Sequence, residues 1–286
     1  MTKENKADNA PDAAVYVVAT PIGNMGDMSR RGVDTLAQVD LIYAEDTRQT
    51  NKLLQYFGIN NTVYQLHKHN EASQKTDISK QLELGKSVAI VSDAGTPLIA
   101  DPGYVTLAYL RRQNYPVYVV PGCSAVIAAL SISGLPSDHF QFAGFIPAKP
   151  GQRQQFLQQY LHSQQTTVFF ETPHRIVNCL GDCLTVFGSD RYLFIGRELT
   201  KRFEESTLLP LSQAIDWISA HDKRRKGEFV LILAPAGQTV TDSRWQTLAQ
   251  LMVAERMSTK SIVRIITQYT DVPKKHVYQY VLSLIS

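Results

Sequence analysis

Over the first 120 residues the apolar positions fall into short β-rich runs separated by stretches with helical spacing. Runs at 14–19 (A-V-Y-V-V-A), 41–44, 62–66, 87–92 and 116–120 predict five strands. Between them, 29–39 carries Val33, Leu36, Ala37 and Val39 at helical intervals, and 47–57 places Leu53, Leu54 and Phe57 on one side. Further helices are predicted at 73–84 and 101–113. Strands alternating with helices of this length predict a parallel sheet covered on both faces. The nearly all-apolar run 87–92 fits a strand buried on both sides.

The second half predicts strands at 140–144, 166–170, 192–196 and 228–233, with 202–207 as a hairpin partner. Helices are predicted at 124–130, 152–162, 174–186 and 211–220. This pattern predicts a second α/β domain with a mixed sheet, and 147–151 (P-A-K-P-G) reads as a loop that doubles as a linker. Residues 242–285 predict three short helices. The last two, 259–269 and 273–284, are joined by a three-residue turn in the manner of a helix-turn-helix unit, with Pro273 suited to a first helical turn. That unit serves either a nucleic-acid contact or a packing role. The expected organisation is a mobile arm (1–13), an N-terminal α/β domain (14–121), a second α/β domain (122–237) and a helical, basic C-terminal domain (238–286).

Every strong turn signal of the first half follows a strand: 20–24 (T-P-I-G-N), 45–48 (E-D-T-R), 93–97 (D-A-G-T-P) and 121–124 (P-G-C-S). In open α/β sheets ligands bind outside the carboxyl ends of the strands, so these loops are expected to line one edge. The stretch 91–103 (V-S-D-A-G-T-P-L-I-A-D-P-G) has far more special chemistry than a simple connection needs.

Common sites are disfavoured by their missing residues. Gly23 and Gly26 lack the third glycine of G-x-G-x-x-G, and no G-x-x-x-x-G-K-[ST] occurs. There is no H-E-x-x-H and no paired C-x-x-C, and His67 and His69 beside Glu71 make only a weak metal signal, so no metal is expected. Ser124 sits in P-G-C-S-A, which is not a nucleophile elbow. The three cysteines form no disulfide framework, and Cys179 and Cys183, four apart on a predicted helix, read as core residues.

With 44% hydrophobic residues among 286, the chain is expected to bury a proper core. It has no apolar run of membrane-spanning length and a polar start without a signal-like segment, which predicts a cytoplasmic location. The net charge of +3 sits in the tail: residues 238–286 hold six Lys/Arg and three acids, while the first 237 balance at 23 against 23. A basic segment on a neutral body points to a polyanionic partner.

The motifs Y-V-V-A-T-P-I-G-N (16–24), A-E-D-T-R (44–48), S-D-A-G-T-P (92–97) with D-P-G (101–103), and V-P-G-C-S-A (120–125) resemble the class III S-adenosylmethionine-dependent methyltransferases, the superfamily of the tetrapyrrole methylases. The resemblance continues through G-L-P-S-D (134–138), F-F-E-T-P-H-R (169–175), R-E-L-T-K (197–201) and R-K-G-E (225–228). S-D-A-G-T-P in place of the usual G-x-G-D-P, together with E-D-T-R and H-x-H-N-E (67–71), is similar to the ribosomal RNA small subunit methyltransferase I subfamily. That subfamily methylates a ribose 2′-hydroxyl of a cytidine in the decoding region of 16S rRNA.

The resemblance implies a two-domain fold with S-adenosylmethionine held between the domains, a homodimer, and 16S rRNA, within the small ribosomal subunit, as partner. It implies cofactor contacts from Thr20, Pro21 and Gly23; from Asp93, Ala94, Gly95, Pro97 and Ile99; and from Pro121 and Ser124. Across the cleft it implies a far wall of Phe170, Glu171, Arg197, Glu198, Leu199, Gly227 and Glu228. Glu45, Asp46 and Arg48 are the candidate catalytic residues, facing the substrate groove. Arg30, Arg31, Lys201, Lys223, Arg224, Arg225, Lys260, Lys274 and Lys275 are the candidate RNA contacts. Each assignment has a structural rival: Asp93 as a turn residue, Asp46 or Thr47 as a helix cap, Arg197 and Glu198 as an ion pair, and the basic runs as solvated faces. Two other functions compete with rRNA methylation: a tetrapyrrole or other small-molecule methyltransferase of the same fold, and a non-catalytic RNA-binding protein.

Overall fold

The computed structural model describes residues 13–237, 244–270, 272 and 274–285. Residues 1–12, which make up all but the last residue of the expected arm, and residues 238–243, Asp271, Pro273 and Ser286 lie outside the described residues. The first half runs β1 (Val15–Val18), α1 (Arg30–Gln38), β2 (Leu41–Ala44), α2 (Thr47–Tyr56), β3 (Val63–Gln65), α3 (Glu71–Glu83), β4 (Val88–Val91), α4 (Tyr104–Arg112) and β5 (Val117–Val120). All four strand pairings are parallel, in the order β3-β2-β4-β1-β5. Val88 to Val91 of β4 lie between β1 and β2 and are buried throughout, as an all-apolar interior strand requires. β3 and β5 form the edges, where Tyr64, Tyr118 and Val119 reach the surface.

The two faces of this sheet bury separate clusters. Leu36 of α1 and Leu53 and Leu54 of α2 pack on Val18, Ile42, Ala89 and Val91. Ile78 and Leu82 of α3 and Leu110 of α4 pack on Val15, Tyr43 and Ile90. Each fully buried Leu or Ile contributes roughly 1.5–3 kcal/mol of transfer free energy.

The second half runs α5 (Ala125–Ser133), β6 (Phe140–Phe145), α6 (Pro150–Gln158), β7 (Thr166–Glu171), α7 (Ile176–Phe187), β8 (Tyr192–Arg197), β9 (Glu205–Pro210), α8 (Leu211–Ser219) and β10 (Phe229–Leu233). The sheet order is β6-β7-β10-β8-β9; β6 pairs parallel with β7 and the other pairings are antiparallel. The hairpin partner expected at 202–207 begins later, at Glu205, because 198–201 make a tight turn first. The loop expected at 147–151 is cut short: Pro150 opens α6, where its missing N–H costs nothing.

One face of this sheet packs α6, α7 and α8 around Phe169, Ile195 and Leu231, with Cys179 and Cys183 fully inside, as their spacing predicts. The other face receives α5 through Val126, Ala129 and Leu130, together with Ile22 from the loop after β1. Ile22 therefore ties the exit of the first sheet to the core of the second.

The chain ends in α9 (Arg244–Ala254), α10 (Thr259–Tyr269) and α11 (Lys274–Ile285), which bury Trp245, Ala249, Ile262, Ile266, Val277 and Val281 among themselves. Ser258 caps α10 by accepting the Ser261 N–H. Among the described residues no helix is long and apolar enough to cross a membrane.

Candidate active site

The carboxyl edge of the first sheet faces the open side of the second across a cavity of about 360 Å3. Ile22 enters it from the loop after β1. Asp93, Ala94, Gly95, Thr96, Ile99, Ala100 and Asp101 come from the loop after β4, and Ser124, Ala125 and Val126 from the start of α5. Phe145, Phe170, Glu171, Thr172, Pro173, Leu199, Glu228, Phe229 and Val230 close it from the second sheet. The volume suits a small-molecule cofactor.

The stretch 91–103 owes its composition to this wall. Thr20 and Gly95 exchange backbone hydrogen bonds at 2.9 and 3.0 Å, a single antiparallel bridge between the exits of β1 and β4. The Thr20 hydroxyl donates to the Ser92 carbonyl and the Thr96 hydroxyl to the Cys123 carbonyl, so three strand exits are laced together. Gly95 (φ +85°) and Gly103 (φ +115°) take left-handed conformations, and so do Leu98 (φ 73°) and Ala100 (φ 70°). Non-glycine residues held there cost roughly 1–3 kcal/mol each and persist only where the surroundings over-determine them. The surroundings here include buried Glu71 at the start of α3. Its Oε1 accepts the Gly103 N–H at 3.0 Å, and its Oε2 accepts those of Val105 at 3.0 Å and Thr106 at 3.4 Å. A carboxylate thus caps the otherwise open N-terminus of α4.

Of the residues expected to hold the cofactor, Asp93, Ala94, Gly95, Ile99, Ser124, Phe170, Glu171, Leu199 and Glu228 line the cavity. Pro97 is buried within the loop after β4 that forms its wall, Thr20 and Pro21 are buried after β1, and Pro121 is exposed after β5. Gly23 lies against Lys201, whose side chain occupies the space a Cβ there would need. Ser124 caps α5 through the Ile127 N–H.

Arg197 departs from expectation. Its Nε donates to the Lys226 carbonyl at 2.7 Å, and its Nη1 to the Phe203 carbonyl at 2.9 Å and to Glu205 at 3.2 Å. It is a buried brace between β8 and β9, outside the cavity lining, because its guanidinium finds these acceptors on that side. Glu198 (φ 50°) belongs to a neighbouring clasp. Lys201 Nζ donates to Glu198 and Glu228 at 2.9 Å each, and Glu198 also accepts the Glu228 N–H at 3.0 Å. Burial pushes the Glu198 carboxyl up, but the Lys201 and Glu228 hydrogen bonds outweigh it and hold the group below its usual range. Gly227 (φ +98°) passes so close that a Cβ would overlap the Glu198 side chain.

The three candidate catalytic residues sit beside the cavity and do not line it. Asp46 caps α2 by accepting the Arg48 N–H at 2.9 Å and pairs with the Arg48 guanidinium at 2.8 Å. These hydrogen bonds lower its carboxyl to about 2, which makes it a poor proton acceptor. Glu45 is half-buried, and burial, then the charge of Asp93, raises its carboxyl. Asp93 accepts the Asp46 N–H at 2.9 Å, which joins the E-D-T-R loop to the cavity wall.

The lining residues that sequence reasoning missed include Ile22, Thr96, Ala100, Asp101 and Val126, Phe145 from β6, and Thr172, Pro173, Phe229 and Val230 from the second sheet. Asp101 had a signal, the D-P-G at 101–103 inside the loop. Phe145 had none: it reaches Phe170, with ring centroids 5.4 Å apart, only because β6 pairs with β7. Asp101 is the most perturbed carboxyl of the wall. Burial, then the charge of Glu45, pushes it up to about 6; Asp93 adds to this, while Ser92 and Lys68 oppose it.

The candidate RNA contacts divide into free and engaged cations. Arg224 stacks on Trp217, 4.3 Å from the ring centroid, and pairs with Glu205, so it is a packing residue. Lys201 is taken up by its two carboxylates, and Arg31 donates to the Val119 carbonyl. Arg30 lies 3.9 Å from Asp34 on an exposed helix turn. Lys223, Arg225, Lys260, Lys274 and Lys275 are exposed. Among the described residues no group of three or more His, Cys, Asp or Glu is placed to hold a metal ion.

A parallel α/β unit whose strand exits face a mixed sheet across a carboxylate-lined cavity is the architecture of the tetrapyrrole methylases, and residues 14–215 match the family described as Tetrapyrrole (Corrin/Porphyrin) Methylases. These enzymes draw their methyl group from S-adenosylmethionine. A uroporphyrin-III C-methyltransferase from Thermus thermophilus, solved with S-adenyl homocysteine, shares the fold at a TM-score of 0.53 and 17% identity, over 77% of this chain and 97% of that one. The ribosomal RNA small subunit methyltransferase I of Vibrio cholerae serotype O1 is 42% identical over 270 residues, 93% of each chain. That of Escherichia coli O157:H7 is 39% identical over 283 residues, 99% of each. The chain belongs to the ribosomal RNA small subunit methyltransferase I family.

Proposed function

We propose that the protein transfers the methyl group of S-adenosylmethionine to the ribose 2′-hydroxyl of a cytidine in the decoding region of 16S rRNA, acting on the small ribosomal subunit as a cytoplasmic homodimer. The observation that carries this reading is the cavity between the two sheets, taken with near-full-length similarity to proteins named for rRNA methylation.

The cavity's chemistry fits the donor. S-adenosylmethionine combines two cationic centres with an apolar and aromatic body. The wall offers the carboxylates of Asp93, Asp101 and Glu228 beside Ile22, Val126, Leu199 and Val230, with the rings of Phe145 and Phe170 as further cation-attracting surface. Asp93 and Glu228 would hold the charged end, and the apolar residues would exclude water. The sulfonium already makes the methyl carbon electrophilic, so the protein's task is to align an oxygen with it. A polyanionic substrate needs phosphate contacts, and the exposed Lys223, Arg225, Lys260, Lys274 and Lys275 supply cations for them.

The test is transfer of labelled methyl to purified small subunits lacking the modification, with naked 16S rRNA and a porphyrinoid precursor in parallel. Label recovered in an alkali-resistant dinucleotide supports the reading. Label in the porphyrinoid alone selects the small-molecule alternative, and cofactor binding without transfer selects a non-catalytic role.

A further inference from the structure

Glu71 anchors the H-x-H-N-E motif, which leaves His67, Lys68 and His69 without a task. They form the turn between β3 and α3, at the carboxyl edge of the first sheet. The turn is held from several sides. Buried Leu66 donates its N–H to the Ala44 carbonyl at 2.7 Å, which fixes the end of β3 on β2. Asn70 Oδ1 accepts the His67 N–H at 2.8 Å, and its Nδ2 donates to the Gln65 carbonyl at 2.9 Å. The N–H groups of Asn70 and Glu71 donate back to the His67 carbonyl at 3.0 and 3.1 Å. Glu71 also holds the loop that walls the cavity, so turn and wall form one unit.

On this frame the side chains offer unused donors. Lys68 is exposed and, among the described residues, has no carboxylate within 4.0 Å. Arg48, the cation on the neighbouring strand exit, is paired with Asp46 instead. His67 Nδ1 accepts the His69 N–H at 3.2 Å, so the proton of the neutral ring sits on Nε2, a donor with no partner among the described residues. The exposed His69 ring stands edge-on to it, with centroids 5.8 Å apart. Lys68 also lies close enough to Glu45 and Asp101 to favour their ionised forms, which puts its charge at the rim of the cavity.

We propose that His67, Lys68 and His69 bind a backbone phosphodiester of the substrate RNA next to the target nucleotide and hold its ribose at the cavity. The inference rests on the reading that the substrate is rRNA. A ribose 2′-hydroxyl reaches the methyl donor with a phosphate close by, because the adjacent ring carbon carries the 3′-phosphodiester. The wall near this edge carries Asp93 and Asp101, with Glu45 beside them, so an incoming phosphate needs a facing cation. An ammonium flanked by two imidazoles supplies charge-assisted hydrogen bonds to it. Such contacts fix the register and orientation of the nucleic acid without reading its sequence.

The experiment measures methyl transfer to unmodified small subunits by wild type, Lys68→Gln, Lys68→Arg, His69→Ala and Lys80→Gln, with S-adenosylhomocysteine affinity measured by calorimetry. Lys80 is an exposed lysine in the last turn of α3, so its variant removes the same charge from outside the site. For Lys68→Gln the KM for subunits should rise about tenfold with kcat within about threefold, because binding shared by ground and transition states enters KM. The log–log salt slope of subunit binding should flatten by about one unit in Lys68→Gln, while Lys68→Arg, which keeps the charge, stays within about twofold of wild type. His69→Ala should raise KM about threefold, and Lys80→Gln should leave it within about twofold. Cofactor affinity should stay within about twofold throughout. A Lys68→Gln KM no higher than that of Lys80→Gln overturns the proposal. So does a parallel loss of cofactor affinity, which would make the turn a support for the loop alone. Wild type that puts no label into RNA overturns the rRNA reading itself and is distinguishable from the failure of Lys68 alone.

Discussion

Glu71 Oε1 accepts the N–H of Gly103 at 3.0 Å, although 32 residues separate them. Together with the hydrogen bonds from Val105 and Thr106, it lets the last residue of H-x-H-N-E hold the far end of the loop that walls the cavity. Glu71 is therefore a brace, and its proximity to the site is mechanical.

Replacing Glu71 with Ala leaves three N–H groups at the start of α4 without their acceptor, two of them in a buried setting. The expected loss is about 2–3 kcal/mol of unfolding free energy. Denaturant titration reads it, and cofactor affinity should fall with it because the loop is released. Glu71→Gln, which keeps an acceptor, should lose less of both.

Gly227→Ala should disrupt the Glu198–Lys201–Glu228 clasp. The position is left-handed (φ +98°), and the new methyl group would overlap Glu198. A cost of roughly 1–3 kcal/mol is expected. Thermal unfolding checks the stability, and calorimetry with S-adenosylhomocysteine checks whether Glu228 and Leu199 have shifted at the cavity wall.

Asp101 carries a stability cost. Its folded pKa, about 6, exceeds the unfolded value, so the native state binds the extra proton between about pH 4 and 6. Stability therefore falls as pH rises through that window and stays lower above it. Asp101→Asn removes the penalty. It should be more stable than wild type at pH 7 by about 1 kcal/mol, after discounting for the group's partial exposure, with no difference below about pH 4. Melting curves at several pH values test this.

Asp46→Ala should lower the unfolding midpoint, since it removes the cap of α2. Cofactor affinity should change little, because the side chain is turned to Arg48 and does not line the cavity. The Asp46 carboxyl is depressed to about 2, so its contribution is present above about pH 4 and is lost as pH falls towards 2.

Changing Lys260, Lys274 and Lys275 together to Ala should weaken binding to small subunits while leaving S-adenosylhomocysteine affinity unchanged. The salt dependence should flatten by about one unit of log–log slope for each phosphate that a lysine no longer neutralises. Filter binding at several salt concentrations measures it. An equal drop in cofactor affinity would show that α10 and α11 serve folding instead.

The sequence alone determined the elements and the edge on which the site lies. Strand runs such as 87–92 and helix faces such as Leu53–Leu54–Phe57 are local patterns, and side-chain periodicity follows directly from backbone geometry. A parallel sheet then places all its strand exits at one end, so T-P-I-G-N, E-D-T-R, D-A-G-T-P and P-G-C-S had to converge. Tertiary structure decided which atoms meet. Arg197 turned to Glu205 and Phe203 because β8 pairs with β9. Phe145 entered the cavity because β6 lies beside β7. Asp46 and Asp93, which meet at the site, stand 47 residues apart in the chain. Pairings at such separations depend on how whole elements dock, and no local pattern of residues encodes them.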